Sequence, residues 1–358
     1  MARVAFYAPM KSPNSSKPSG DREMARNLMA AIKAQGDRVD LASELRIYDK
    51  LGNPATQAEL LERAQIEANR LIHELPRDTE IWVNYHNYYK APDLLGPKVC
   101  KAREIPYVQL ESTRALSRLT GPWASFARAA HEACDAADLI FYLTANDLIA
   151  LERERFKSQV LVEMPPFLPI DELPNASLND GPMLAVGMMR SGDKLASYRI
   201  LAETLNLLTG DWKLNIAGDG PARHDVLSLM EPFGKKVQFL GQLDRIQLQR
   251  EYESASILVW PGVNEAYGMV YLEAQAAGLP VSAQDRPGVR DVLMPSSYPG
   301  IEDGPRGLAD QIQNFLADLS LRRSEGARAR KYVAERHLLP KATKRFWTAV
   351  RPLLEARS

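Results

Sequence analysis

ILVWPGVNEAYGMVYLEAQAAGLPVSA, residues 257–283, opens on a continuous apolar run, turns through Pro261, Gly262 and Asn264, and becomes a helix near Gly268. An apolar run without alternation is how a strand buried on both faces reads, and a strand followed directly by a helix is the repeating unit of a parallel α/β sheet. In such sheets ligands gather beyond the carboxyl ends of the strands, where the next helix offers free backbone N–H groups and the positive end of its dipole. An anionic diphosphate would sit well there, with Gly268 letting the backbone come close and Met269 and Val270 in the first turn. Glu265 falls on the loop and Glu273 about two turns into the helix. One carboxylate can meet a sugar hydroxyl while the other accepts from a ribose.

The same rhythm runs outward in both directions. Strand-like runs at 183–187, 213–217, 236–240 and 257–260 alternate with helical segments starting near Lys194, Pro221, Asp244 and Tyr267. Upstream, runs at 4–8, 38–43, 80–86, 106–111 and 139–144 alternate with helical stretches at 21–35, 55–75, 93–103 and 123–136. Two Rossmann-like domains are expected, since a single core stops growing well before 358 residues. The proline-rich segment 165–182 marks the break. The expected division is 1–168 as an N-terminal domain, 169–182 as a linker, 183–340 as a C-terminal domain, and 341–358 as a terminal helix whose Trp347, Val350 and Leu353 form an apolar stripe.

Composition narrows the class further. Lys+Arg and Asp+Glu both number 45, so no overall field draws nucleic acid or an anionic membrane. Cys100 and Cys134 have no metal-ligand spacing, and no window is apolar enough to span a bilayer. The N-terminus lacks a signal-peptide core, so a cytoplasmic protein is expected. DxD, HExxH and P-loop motifs are missing. No metal or cofactor is expected.

NEAYGMVYLEAQAAGLPV resembles the glutamate, seven residues, glutamate signature of retaining GT-B glycosyltransferases of family 4. Leu214–Pro221 (LNIAGDGP) is similar to that family's strand and glycine turn at the donor site, through Gly218. VQFLGQL at 237–243 resembles the strand and turn beside the base, with Gly241 and Leu243. LAVG followed by Arg190 and Lys194 resembles the family's phosphate-binding Arg/Lys pair, although Met188 stands where Arg often follows the glycine. In the N-terminal half, Pro18-Ser19-Gly20 resembles the glycine loop and Asn84-Tyr85-His86 the position of the active-site histidine.

The resemblance implies a GT-B fold whose terminal helix crosses back to the N-terminal domain. It also implies transfer of a hexose-type sugar from a nucleotide diphosphate sugar, UDP-linked before GDP- or ADP-linked, with retention of configuration. Glu265, His86, Arg190 and Lys194 are then the expected catalytic residues. Gly20, Gly218, Gly241, Leu243, Gly268, Met269, Val270 and Glu273 are expected to hold the donor in an interdomain cleft. The acceptor, a glycan, lipid or small molecule, would meet the loops at 46–55 and 112–122 of the N-terminal domain. Trp82, Tyr85, Tyr88 and Tyr89 offer rings for stacking, though half of them must face the core. Arg114, Arg118 and 125–136 are the candidates for a peripheral membrane contact. A nucleotide-sugar epimerase or hydrolase, or a silent nucleotide-binding scaffold, would share the fold. A nicotinamide enzyme is disfavoured because Arg223 occupies the last glycine of the fingerprint.

Overall fold

The computed structural model describes residues 1–17, 19–156 and 158–356. The chain divides into two compact units, Met1–Pro165 with the C-terminal stretch from Leu339, and Pro166–Leu338.

The first unit is built on a parallel six-stranded sheet in the order β2-β1-β3-β4-β5-β6. Its strands are β1 (Arg3–Tyr7), β2 (Arg38–Ser43), β3 (Ile81–Asn87), β4 (Tyr107–Ser112), β5 (Leu139–Tyr142) and β6 (Val160–Glu163). Between them run α1 (Gly20–Lys33), α2 (Pro54–Glu74), α3 (Gly96–Arg103), α4 (Ala124–Ala136) and α5 (Ala145–Glu152). Central β1 and β3 are buried almost throughout, whereas edge strand β2 alternates exposed and half-buried positions. That contrast follows from having helices over both faces but only one neighbour at the edge.

The second unit repeats the plan with a parallel sheet ordered β11-β10-β7-β8-β9. These strands are β7 (Met183–Val186), β8 (Leu214–Ala217), β9 (Val237–Gly241), β10 (Leu258–Val259) and β11 (Val281–Ser282). Its helices are α6 (Asp193–Asn206), α7 (Arg223–Met230), α8 (Arg245–Ser254), α9 (Met269–Ala276), α10 (Gly304–Ala317) and α11 (Leu319–Arg336). Asp244 and Gln247 start α8 as a reciprocal capping box, which satisfies two otherwise free backbone donors.

The last helix, α12 (Leu339–Glu355), belongs to the first unit. The Trp347 indole donates to the Ile32 carbonyl at 3.1 Å, Thr343 donates to the Ala31 carbonyl at 2.9 Å, and Phe346 stacks on Phe141. The apolar stripe of this helix therefore closes over the end of α1.

Three elements escape the sequence reading: α5, β6 and β11. The capping box of Thr144 and Asp147 announces α5, whereas β6 is a short, half-exposed edge strand and β11 has two residues. Segment 169–182, read as a linker, lies in the second unit. It is tied down there: the Ser177 N–H donates to the Ala277 carbonyl at 2.8 Å, and the Asn179 amide donates to the Gly278 carbonyl at 3.0 Å. Among the described residues no helix is long and apolar enough to cross a membrane.

Candidate active site

At the carboxyl end of β10, Trp260 closes the strand and Pro261–Gly268 forms the loop into α9. The Trp260 indole donates to Glu265 Oε1 at 2.9 Å, and the Lys194 ammonium, from the first turn of α6, bonds the same oxygen. Lys194 Nζ also lies 5.5 Å from the Trp260 ring centroid. The Glu265 side chain is 12% exposed and that of Lys194 31%. Both donors take one oxygen, and among the described residues Oε2 has no hydrogen bond, so the carboxylate is held in place with one oxygen open. The sequence reading gives Glu265 and Lys194 different parts of one donor, a sugar hydroxyl and the diphosphate; the structure pairs them.

The loop is pinned from α6 as well. Ser197 Oγ accepts the Val263 N–H at 3.0 Å, and the Asn264 amide donates to Asp193 at 3.1 Å. Gly268, at φ 63°, ends the loop without a side-chain cap, leaving the first N–H groups of α9, those of Met269 and Val270, without helical acceptors. A Cβ on Gly268 would lie 2.6 Å from the Tyr271 ring, so close packing as well as φ requires glycine. Gly192 likewise starts α6 without a side-chain cap. Arg190, just before it, is exposed, and among the described residues its side chain has no ion pair or hydrogen bond.

The glycine turn after β8 meshes with the loop after β7. Gly218 N–H bonds the Gly241 carbonyl at 2.8 Å, and Met189 N–H bonds the Asp219 carbonyl at 2.9 Å. Gly241 ends β9, and Leu243, half-buried, packs on the core. Glu273 accepts from the Tyr252 hydroxyl at 2.8 Å. Burial raises its carboxyl above the ordinary value, while Tyr252 and Arg245 pull it back.

In the first unit, His86 and Glu111 occupy the carboxyl ends of neighbouring strands β3 and β4, and both adopt left-handed backbone, at φ 73° and 57°. Such conformations cost a non-glycine residue about 1–3 kcal/mol and gather at functional positions. His86 Nδ1 lies 3.8 Å from Asp21 in the first turn of α1. Burial lowers the imidazole below its ordinary value, with Asp21 and Asp147 opposing. Burial, then the charges of Asp147 and Asp21, push the Glu111 carboxyl up to about 8, against the Tyr85 hydroxyl, which lowers it.

Gly20 opens α1 behind the Ser19 cap, and nothing within 4 Å of it demands glycine; Pro18 lies outside the described residues. Arg114 is a correction: it is buried and ion-paired with Asp135 at 2.6 Å, so it is no part of a membrane-facing surface. His337 is fully buried, with Nδ1 2.6 Å from the Pro166 carbonyl. Glu111, Trp260 and Tyr252 were not singled out in the sequence, although Glu111 ends the strand next to the one that ends at His86.

Glu111 makes a pH prediction. Below its ordinary value of 4.5 the carboxyl is protonated in folded and unfolded chains alike. From there to about 8 the unfolded chain has lost a proton that the folded chain keeps, so its contribution to stability falls as pH rises across that window. Glu111→Gln removes this loss. Denaturant titrations at pH 5 and pH 9 should show the variant gaining on the wild type by about 4 kcal/mol at the higher pH; an equal difference at both would show that Glu111 ionises normally.

Two successive parallel Rossmann-like units, each with polar groups at the carboxyl ends of its strands, make a GT-B-like fold. Residues 182–318 match the family model described as glycosyl transferases group 1. An uncharacterised glycosyltransferase of Methanocaldococcus jannaschii is 33% identical over 132 residues, 35% of this chain and 33% of that protein. The chain thus matches about a third of that relative's length. Over nearly its whole length the fold is similar to that of a sucrose-phosphate synthase from Thermosynechococcus elongatus, with a TM-score of 0.70 at 18% identity, covering 99% of this chain and 100% of that one. It is also similar to Anabaena HepE, solved in complex with UDP and glucose, with a TM-score of 0.66 at 13% identity, covering 98% of this chain and 100% of that one.

Proposed function

We propose that the chain is a retaining glycosyltransferase that moves a hexose-type sugar from a nucleotide diphosphate sugar, UDP-linked first, to an acceptor hydroxyl. The observation that carries this reading is Glu265, oriented by Trp260 and Lys194 at the end of β10 with one oxygen open, directly before an uncapped helix start. The group 1 family match over this same unit supports it, as does the fold likeness to a protein that binds UDP and glucose.

In this reading Glu265 Oε2 accepts from a donor sugar hydroxyl, and Glu273, tied to Tyr252, accepts from the ribose. Negative charge grows on the diphosphate as its bond to the anomeric carbon breaks. Arg190, Lys194 and the N–H groups opening α6 and α9 stabilise it, so the step is written without a metal ion. His86, at the carboxyl end of β3, serves a sugar as a hydrogen-bonding group.

Calorimetric titration with UDP, GDP and ADP in the presence of EDTA tests the donor site. One nucleotide should bind at micromolar concentration, and Arg190→Ala should weaken it about tenfold or more, as expected for removing one charged phosphate contact. Binding of none of the three would overturn the reading.

A further inference from the structure

A ladder of rings leads away from His86 in the first unit. His86 lies 4.8 Å from the Tyr88 ring, Tyr88 lies 5.5 Å from Tyr89, and Tyr89 meets Trp123 edge-on at 5.7 Å. Trp82 and Tyr85, the other aromatic residues of this stretch, are buried in the core, whereas Tyr88, Tyr89 and Trp123 keep part of their surface open. At the far end two cations share the same two rings. The Arg118 guanidinium lies 5.2 Å from the Tyr89 centroid and 5.3 Å from that of Trp123, and the Lys90 ammonium lies 5.5 Å from both.

Ring faces attract each cation, yet two like charges gathered on one pair of rings repel each other, and an anion between them removes that cost. Among the described residues neither Arg118 nor Lys90 takes part in an ion pair. Asp49 adjoins the pair through its backbone: its carbonyl accepts from the Trp123 indole at 3.3 Å and its N–H bonds the Lys90 carbonyl at 2.9 Å. Asp49 spends both oxygens on the N–H groups of Leu51, Gly52 and Asn53 and on the Gln57 amide. This keeps the loop after β2 folded against Trp123 and leaves the cations uncompensated. The chain flanking Trp123 also lines a groove of about 220 Å³ with Pro54 and Leu61, an apolar surface for a carbon frame.

We infer that Arg118 and Lys90, seated on Tyr89 and Trp123, recognise an anionic group, a phosphate monoester, on the acceptor whose hydroxyl is presented toward His86. The inference rests on the glycosyltransferase reading for the word acceptor, while the anion site itself stands on the ring and charge geometry.

The test therefore separates the two. The full chain is titrated calorimetrically with glucose and glucose 6-phosphate, and with inositol and inositol 1-phosphate, with inorganic phosphate as competitor. Flotation with phosphatidylcholine vesicles, with and without phosphatidic acid, tells a lipid-borne phosphate from a soluble one. Phosphorylated members should bind and neutral ones should not. Arg118→Gln and Lys90→Gln should each weaken that binding at least tenfold while leaving nucleotide affinity and the melting temperature unchanged. Phosphate-dependent binding in either arm supports the site. Equal binding of the neutral and phosphorylated forms, no binding in either arm, or indifference to both substitutions overturns it. Nucleotide titration of the same samples judges the donor site independently.

Discussion

Glu265→Gln is expected to lower kcat by about 10²–10³-fold while nucleotide affinity changes by less than about threefold, because the amide keeps the shape of the carboxylate and loses its charge. The present partners make the effect asymmetric. The Trp260 indole can still donate to an amide oxygen, but the Lys194 ammonium, half-buried beside it, loses its counter-charge. Lys194→Met gives the complementary result: Glu265 keeps only the indole, and if Lys194 also meets the diphosphate, as proposed above, both kcat and nucleotide affinity fall. Steady-state kinetics with nucleotide calorimetry on both variants distinguishes these patterns. Unchanged turnover in Glu265→Gln would remove this residue from the reaction.

Much of this site can be read along the chain because its parts are local. The apolar run, the turn, Gly268 and the two glutamates fall within one strand, one loop and one helix, and the direction of a parallel sheet decides which end carries them. The strand–helix alternation survives into the structure for the same reason, since period and burial are local signals. What escaped is non-local. No spacing shows that Lys194 and Glu265, 71 positions apart, share an oxygen, or that Tyr252 holds Glu273 from the preceding helix. Arg114 looked like a surface charge until Asp135, on the far side of a helix, neutralised it. Glu111 gives nothing in sequence beyond a strand-end carboxylate. Its raised protonation comes from burial and from Asp21 and Asp147, which only folding brings near.

Gly218→Ala should abolish stable folding of the second unit, or destabilise it by about 3 kcal/mol or more, through overpacking together with backbone strain. Its φ of 144° is one that side chains rarely adopt, and a Cβ there would stand 2.0 Å from the Gly187 carbonyl oxygen, a backbone atom that accepts from the Tyr198 hydroxyl at 2.7 Å. Relief by moving the loop would break the Gly218–Gly241 and Met189–Asp219 hydrogen bonds, and Met189 adjoins Arg190, so any surviving protein should also bind nucleotide poorly. Gly20→Ala is the informative control. Nothing within 4 Å opposes its Cβ, so its melting temperature should match the wild type. A loss of transfer activity in Gly20→Ala without loss of stability would mean that ligand, not protein, needs the space at the start of α1. Equal stability of Gly218→Ala and the wild type would show instead that the two glycine loops are not locked together as described, and with them the placement of Arg190.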